Sequence, residues 1–406
     1  MSTQRASGNR VGGSFIQIGG MTFSSMANRL AARFGDGAVT ITSGDGTVIH
    51  TCRATRTCPV AIVGVKSFRA QTDHAKVHVE GSDGAETKLE LTITVTAQTQ
   101  EEADRRADAL LAHGVHVFDH ESGELSVPRR VEDDVVRVEI SATLGATCES
   151  VDVETEYGSI ELSDFKGTRV DLRASNDSIE VADVRCAESF LKSSYGKISI
   201  ARSEFTANLR AVTSNDDIRL DNVRFHGSLE TSFAAVDVHD CTLTGDTSVK
   251  SRNGSASVQF TKAVRDLRVE TTYARAELLE CTAEGRTWLL SRNGEVRANK
   301  CEFSDALEVE TCYDSAVVST CKLRGRTKVT SRNGKASVTN CEVRAALDVE
   351  TSYDDAIVVA TNAVRGTTWS HHGTARNGAE GNARRIELPI VTVRSRSGNA
   401  TLRCGS

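Results

Sequence analysis

Proline is nearly missing from this chain, with 3 in 406 residues, and aromatic residues make up only 5%. So little proline excludes a Pro-rich disordered chain, and so few aromatics do not suit an enzyme core rich in Trp and Tyr. No apolar run reaches the roughly 18 residues of a membrane span. No charged, apolar and small-residue signal sequence opens the chain. Basic charge is not in excess either. The net charge is −6 and the pI is near 6.0, whereas a nucleic-acid binder shows a basic bias. Compact Cys pairs, a nucleophile elbow, a phosphate loop and a zinc motif are all missing. The expectation is therefore no enzyme activity, no catalytic residue, no metal, no cofactor and no nucleic-acid partner.

What the chain has is a period. Tyr273, Asn293, Tyr313, Asn333 and Tyr353 stand 20 residues apart, and Asn253, Phe233, Asn215, Tyr195, Asn176 and Tyr157 extend the series backwards at intervals of 18 to 20. We call this residue position zero. A Ser or Thr stands two places before it almost throughout. A Val or Leu stands four places before it, with Ala211 the one smaller residue. Three and five places after it come small and aliphatic residues such as Ile198 and Ile200. Alternation with period 2 on both sides of a turn means strand. A 20-residue unit cannot bury its own apolar side, so coils must stack. The expected class is all-β: a single-chain β-solenoid of about 20 residues per coil and about 12 coils, with an N-terminal α+β cap. At about 4.8 Å per coil the rod would be about 60 Å long. Gly or Asp directly after position zero is expected to take a left-handed backbone there.

Three regions are expected: residues 1–36 as a tail, 37–145 as a β-rich cap with one helix, and 146–404 as the solenoid with an irregular insertion at 370–390. The tail holds Arg5, Arg10, Arg29 and Arg33 and no acid before Asp36, and Phe23, Met26, Leu30 and Phe34 lie at helical spacing. That composition fits a mitochondrial transit peptide or a flexible tail with a short helix. In the cap, Val39 to Thr42 reads as a strand. Lys76 to Glu80 and Leu89 to Val95 read as a hairpin turning at 81–84. Thr99 and Glu102 form a capping box for a helix with Ala103, Ala107, Leu110 and Leu111 on its apolar face and Gly114 at its end. A second hairpin turns at Glu121, Ser122 and Gly123. The cap and the 370–390 insertion are expected to cover the two ends of the rod.

The 11 cysteines are an odd number, and several recur at one repeat position, unlike a disulfide framework. They read as free thiols in a reducing compartment, hence an intracellular protein of the mitochondrial matrix or the cytoplasm. Cys281, Cys301, Cys321 and Cys341 lie on consecutive coils, with Cys241 two coils earlier, and are expected to pack as small apolar groups. The Tyr and Asn of position zero read as corner fillers, with a carbohydrate platform of exposed rings as the other reading. Arg252, Arg292 and Arg332 alternate along the chain with Glu270, Glu310 and Glu350. These six are expected to face outward and interleave as a charge ladder, and they are the candidate binding residues. The Asp residues at 216, 217, 314, 354 and 355 fall at turns, where Asp serves the backbone. His371 and His372 lie in the irregular insertion.

Residues 75–84 (Ala75 to Gly84), the helix over 101–113, residues 135–140 and residues 154–160 (Glu154 to Ile160) carry a resemblance. With the recurring Ser/Thr-x-Asn/Tyr-Gly-x-Ile/Val turn, they resemble an adhesin-like β-solenoid family, a domain of unknown function, over residues 70 to 404. The resemblance implies relatives in bacteria and in mitochondrial-type eukaryotic proteins, and no catalytic residues to carry over. The chain departs from a surface adhesin in lacking a secretion signal or membrane anchor. The functional expectation is a non-enzymatic intracellular scaffold or macromolecule-binding solenoid with a protein partner. The alternative is a carbohydrate-binding or polysaccharide-active β-helix.

Overall fold

Each coil of the computed structural model follows from the alternation in its sequence, because every inward position holds an apolar or hydroxyl side chain. The structure describes residues 15–18, 21–23, 37–42, 48–112, 116–127, 136–377 and 388–404. It is a β-solenoid of about 11 turns. A regular coil has a first-face strand after position zero, a two-residue third-face strand, and a second-face strand leading to the next position zero. The coil holding Ala276–Leu279, Thr282–Ala283 and Thr287–Ser291 is one example. Equivalent strands of successive coils pair in parallel and in register. Inward residues such as Leu278, Ala283 and Leu289 are buried and form one continuous core. Each adds apolar burial of about 25 cal/mol per Å².

The corner turns differ from expectation. The residue after position zero is not left-handed. The left-handed residues are instead Asp164, Asp183, Arg202, Asn222, Asp240, Phe260, Glu280, Lys300, Thr320 and Asn340, with φ between 47° and 58°. Each stands seven places after position zero, at the bend between the first and third faces. Asp and Asn tolerate this region best, but the chain also places Arg, Lys, Thr and Phe there. The glycines after position zero are required by crowding. A Cβ on Gly196, Gly254, Gly294 or Gly334 would collide with a carbonyl of the preceding coil.

At the N-terminal end the first face continues as an antiparallel sheet. Val136–Leu144 lies between Lys76–Gly81, to which it is parallel, and Glu86–Ala97, to which it is antiparallel. The expected hairpin of Lys76 to Glu80 with Leu89 to Val95 is therefore wrong. Its intended partners are separated by a strand that comes 40 residues later, because Lys76–Gly81 already belongs to the parallel stack with Ile160–Ser163. Val48–Val63, Gly37–Thr42 and Phe15–Ile18 extend the antiparallel sheet, and Met21–Phe23 forms its far edge. Phe23 is thus in a strand and not in the expected tail helix; Met26, Leu30 and Phe34 lie outside the described residues. The helix Gln100–Ala112 begins as read, with the Glu102 amide donating to Thr99 Oγ1 at 3.3 Å. Ala103 and Ala107 are buried, and Arg56 ties the helix down through Asp104 (2.7 Å) and Asp108 (2.8 Å). Gly114 and the Leu111 side chain lie outside the described residues. The second hairpin is present as Val117–Asp119 with Glu124–Val127, turning at Gly123 with φ 74°.

The far end is built out of chain order. Leu347–Thr351 and Ala356–Ala360 pair with Ile390–Ser395 and Ala400–Cys404. Those strands in turn pair with Arg365–Ser370 and Ala375–Asn377. The region read as irregular thus begins with an ordered outermost coil, and the half-repeat that follows it is inserted beneath. Where the coil below presents Val391 and Val393, the outermost coil presents Gly366 and Thr368. The terminal layer is polar, as a capping repeat should be.

Candidate functional site

Position zero is the corner between the second and first faces, and two kinds of side chain occupy it in turn. The hydroxyl two places earlier is buried and fastens adjacent coils. Ser291 Oγ donates to Ala274 O at 3.1 Å and accepts from the Gly294 amide at 3.0 Å. Ser331 repeats both bonds at 2.8 and 3.0 Å. Thr311 and Thr351 donate to the carbonyls of Gly294 and Gly334. The asparagines fill the corner as expected, with Asn176, Asn215 and Asn253 donating their side-chain amides to carbonyls of the preceding coil at 2.9 Å.

The aromatic residues do not fill the corner. Tyr157, Tyr195, Phe233, Tyr273, Tyr313 and Tyr353 are between 51% and 63% exposed. With the hydroxyl and the backbone already closing the turn, the ring has nowhere to pack and stands outward. Coils about 4.8 Å apart place these rings at intervals of about 10 Å along one edge of the rod. Among the described residues Tyr157 alone of the six stacks on a neighbour, His74, at 4.7 Å between ring centroids. Arg252, Arg292 and Arg332 lie on the coils between and are exposed, and their carbonyls accept from the amides of Tyr273, Tyr313 and Tyr353. The edge therefore presents arginine and tyrosine by turns.

Glu310 and Glu350 also face outward, and Glu270 is half-buried. The expected interleaving with the arginines does not form. Glu270 pairs with Arg268 at 3.0 Å and Lys250 at 3.9 Å. Among the described residues no ion pair joins Arg252, Arg292, Arg332, Glu310 or Glu350. The arginines sit in the turn and the glutamates two residues back on the strand, so neighbouring strand positions supply the nearer cations. The three guanidinium groups are exposed and carry no ion pair among the described residues.

The cysteine column serves the other bend. The Cys281, Cys301 and Cys321 amides donate to the sulfurs of Cys301, Cys321 and Cys341 at 3.3–3.4 Å. Each sulfur also donates to the carbonyl two residues before it, next to the left-handed residue. Ser203 and Thr261 do the same work with hydroxyls in other coils. Burial pushes the thiols of Cys186 and Cys241 up to about 12, and Cys281 is raised by its Cys301 neighbour and by burial. Cys341 at the end of the column is lowered instead, by its hydrogen bond with Cys321, but it is as buried as the rest, and an enclosed sulfur is out of reach of a reagent. Cys52 and Cys58 lie six residues apart on one strand, Val48–Val63, which separates them by about 20 Å. Under native conditions iodoacetamide should alkylate Cys52, Cys58, Cys312 and Cys404, all half-buried, roughly tenfold or more faster than the column. Peptide mass spectrometry over a time course reads this directly, and equal rates would refute the enclosed ladder.

The turn aspartates cap backbone. Asp216, Asp314 and Asp354 each accept from the next amide at 2.6–2.7 Å. Asp355 accepts from Asn399, and Asp217 from Ala235 while pairing with Arg219. His371 and His372 sit on the outermost coil with rings 4.2 Å apart. No group of three or more His, Cys, Asp or Glu that could hold a metal occurs among the described residues, and no described helix is long and apolar enough to cross a membrane. Sequence reasoning missed the outward aromatics of the second face, Phe190 between Arg173 and Arg210 and Trp288 beside Arg286. Both occur at single coils, so the repeat carries no signal for them.

Residues 68–287, more than half of the chain, match the family described as Toastrack DUF4097. Two solved structures match this chain. One is described as a "Putative lipid binding protein" from Parabacteroides distasonis, with 11% identity and a TM-score of 0.25, covering 73% of this chain and 95% of that one. The other is described as a "putative cell adhesion protein" from Clostridium sporogenes, with 7% identity and a TM-score of 0.20, covering 86% of this chain and 100% of that one. Among curated proteins none matches.

Proposed function

The chain belongs to the Toastrack DUF4097 family, a domain of unknown function, and from that premise we propose that it is a non-enzymatic solenoid that binds an extended macromolecule along its outer corner. The observation that carries this reading is the row of six exposed rings on one edge. Exposing large apolar groups to water is unfavourable, and a repeated exposed set marks an interaction surface. Tyr suits such a surface, because its rigid ring offers large contact area for little lost side-chain freedom. The intervening arginines add hydrogen-bond donors that no acid among the described residues occupies.

Such an edge suits a ligand that is itself periodic and extended. A polysaccharide whose sugar rings stack on successive tyrosines is the reading the about 10 Å spacing favours. A polypeptide held by Arg252, Arg292 and Arg332 is the reading the unpaired cations favour. Two variants separate them. Tyr273→Ala/Tyr313→Ala/Tyr353→Ala should weaken polysaccharide retention on a glycan array by about a hundredfold, at about 1 kcal/mol per lost ring. Arg252→Glu/Arg292→Glu/Arg332→Glu should abolish capture of a protein partner in a pull-down. If both variants retain every ligand of the parent protein, this corner is not the binding surface.

A further inference from the structure

The interval of 18 residues between Asn215 and Phe233 leaves a gap in the side of the rod. Where the second face begins, the adjoining coils place three residues in the bend, at 206–208 and 244–246. This coil places His226 alone between Phe225 and Gly227. Gly227 closes the shortened bend with φ 130°, and a Cβ there would strike the Leu209 carbonyl. No other residue makes that bend. The missing residues open a cleft of about 280 Å³, lined among others by Gly227, Asp246, Ser248, Asp266, Arg268 and Trp288.

We propose that this cleft binds a single pyranose ring. Its volume lies at the small end of ligand sites, which suits one sugar and not an oligomer. Trp288 supplies a flat apolar wall two coils from Ser248, and Arg286 braces the indole with its guanidinium carbon 5.6 Å from the ring centroid. The axial hydrogens of a pyranose make one apolar face that fits such a wall. Asp246 and Asp266 supply acceptors for hydroxyl groups, and Arg268 supplies donors. Ser248 Oγ is sealed from solvent without a hydrogen-bond partner, and rotation about its Cα–Cβ bond offers the cleft a further donor. Arg268 pairs with Glu270 and Arg286 with Asp266, which leaves Asp246 without an ion pair among the described residues. An anionic ligand would meet the two aspartates, so a phosphate or a uronate is disfavoured and a neutral polyhydroxylated ring is favoured. These residues lie at the opposite end of the second-face strands from the row of corner rings, so the inference stands apart from the corner reading.

The protein has two tryptophans, so Trp369→Phe leaves Trp288 as the sole indole reporter. Titration of that variant with the methyl glycosides of glucose, galactose and mannose should give a saturable change in emission in the millimolar range for at least one, and none with glucuronate. Saturation-transfer NMR on the full chain should show the same sugar bound. Asp246→Asn/Asp266→Asn and Trp288→Leu should each weaken it tenfold or more with circular dichroism unchanged. Absence of a saturable response to all three glycosides by both methods overturns the proposal. So does binding that survives both variants undiminished. Polysaccharide retention lost on removing Tyr273, Tyr313 and Tyr353, with none of the three glycosides bound, would leave the corner reading intact while this one fails.

Discussion

Gly294→Ala is expected to destabilise the middle of the rod by about 3 kcal/mol. The added methyl would overlap the Ala274 carbonyl of the preceding coil, which is backbone paired into the stack and not free to give way. The same move would strain the Gly294 amide, which donates to Ser291 Oγ, and with it the Ser291 bond to Ala274 O. A buried hydroxyl that loses its partners costs about 1–3 kcal/mol. Because each coil touches only its neighbours, the damage should stay local. Amide exchange should accelerate about a hundredfold over the coils flanking residue 294 and remain unchanged in the helix and its sheet. Gly84→Ala is the control. The nearest atom to a Cβ there is Ser82 Oγ at 3.4 Å, and the change should stay within about 0.5 kcal/mol. Equal effects at the two glycines would show that the corner tolerates a side chain.

Ending the chain after Thr361 is expected to turn it into a self-associating species. The shortened rod would present the inner rims of Leu347, Val349, Ala356 and Val358, which the coil of residues 390–404 now covers. It would also lose Asn362, whose side chain closes the third face by accepting from the Val343 amide at 2.8 Å and donating to its carbonyl at 2.7 Å. Unpaired parallel edges over an apolar core template further pairing. Light scattering during size-exclusion chromatography should show mass rising with concentration for the shortened chain and not for the full one. A shortened chain of unchanged, concentration-independent mass would mean that the end layers do not protect the stack.

Sequence and structure agree wherever one physical requirement recurs in every coil. The inward Val and Leu, the corner Ser and Thr and the buried Cys column were legible for that reason. The bend seven residues after position zero was not, because a left-handed turn on the surface accepts Asp, Arg, Lys, Thr and Phe alike and so leaves no motif. Position zero misled in the other direction. An unbroken Tyr and Asn series looks like one structural role, yet the Asn amides bond to the backbone and the Tyr rings face water. The order of coils at both ends was also hidden. Val136–Leu144 and Ile390–Ser395 each match the local pattern of a strand, but strand pattern does not say between which neighbours a strand will lie. The shortened interval at 215–233 was visible as a number, and only the neighbouring bends turn that number into a cleft.

The coil of residues 390–404, lying between two coils made earlier, also sets a timetable. A solenoid can assemble as it leaves the ribosome, each coil settling on the one before. Here residues 365–377 emerge first but have no platform until 390–404 arrive, because among the described residues the outermost coil pairs with that later one alone. The growing rod must therefore pause with the coil of residues 347–360 as its exposed face, and the last two layers close together in one step after synthesis has passed them. A chaperone that reads unpaired strand edges would meet this protein during that pause.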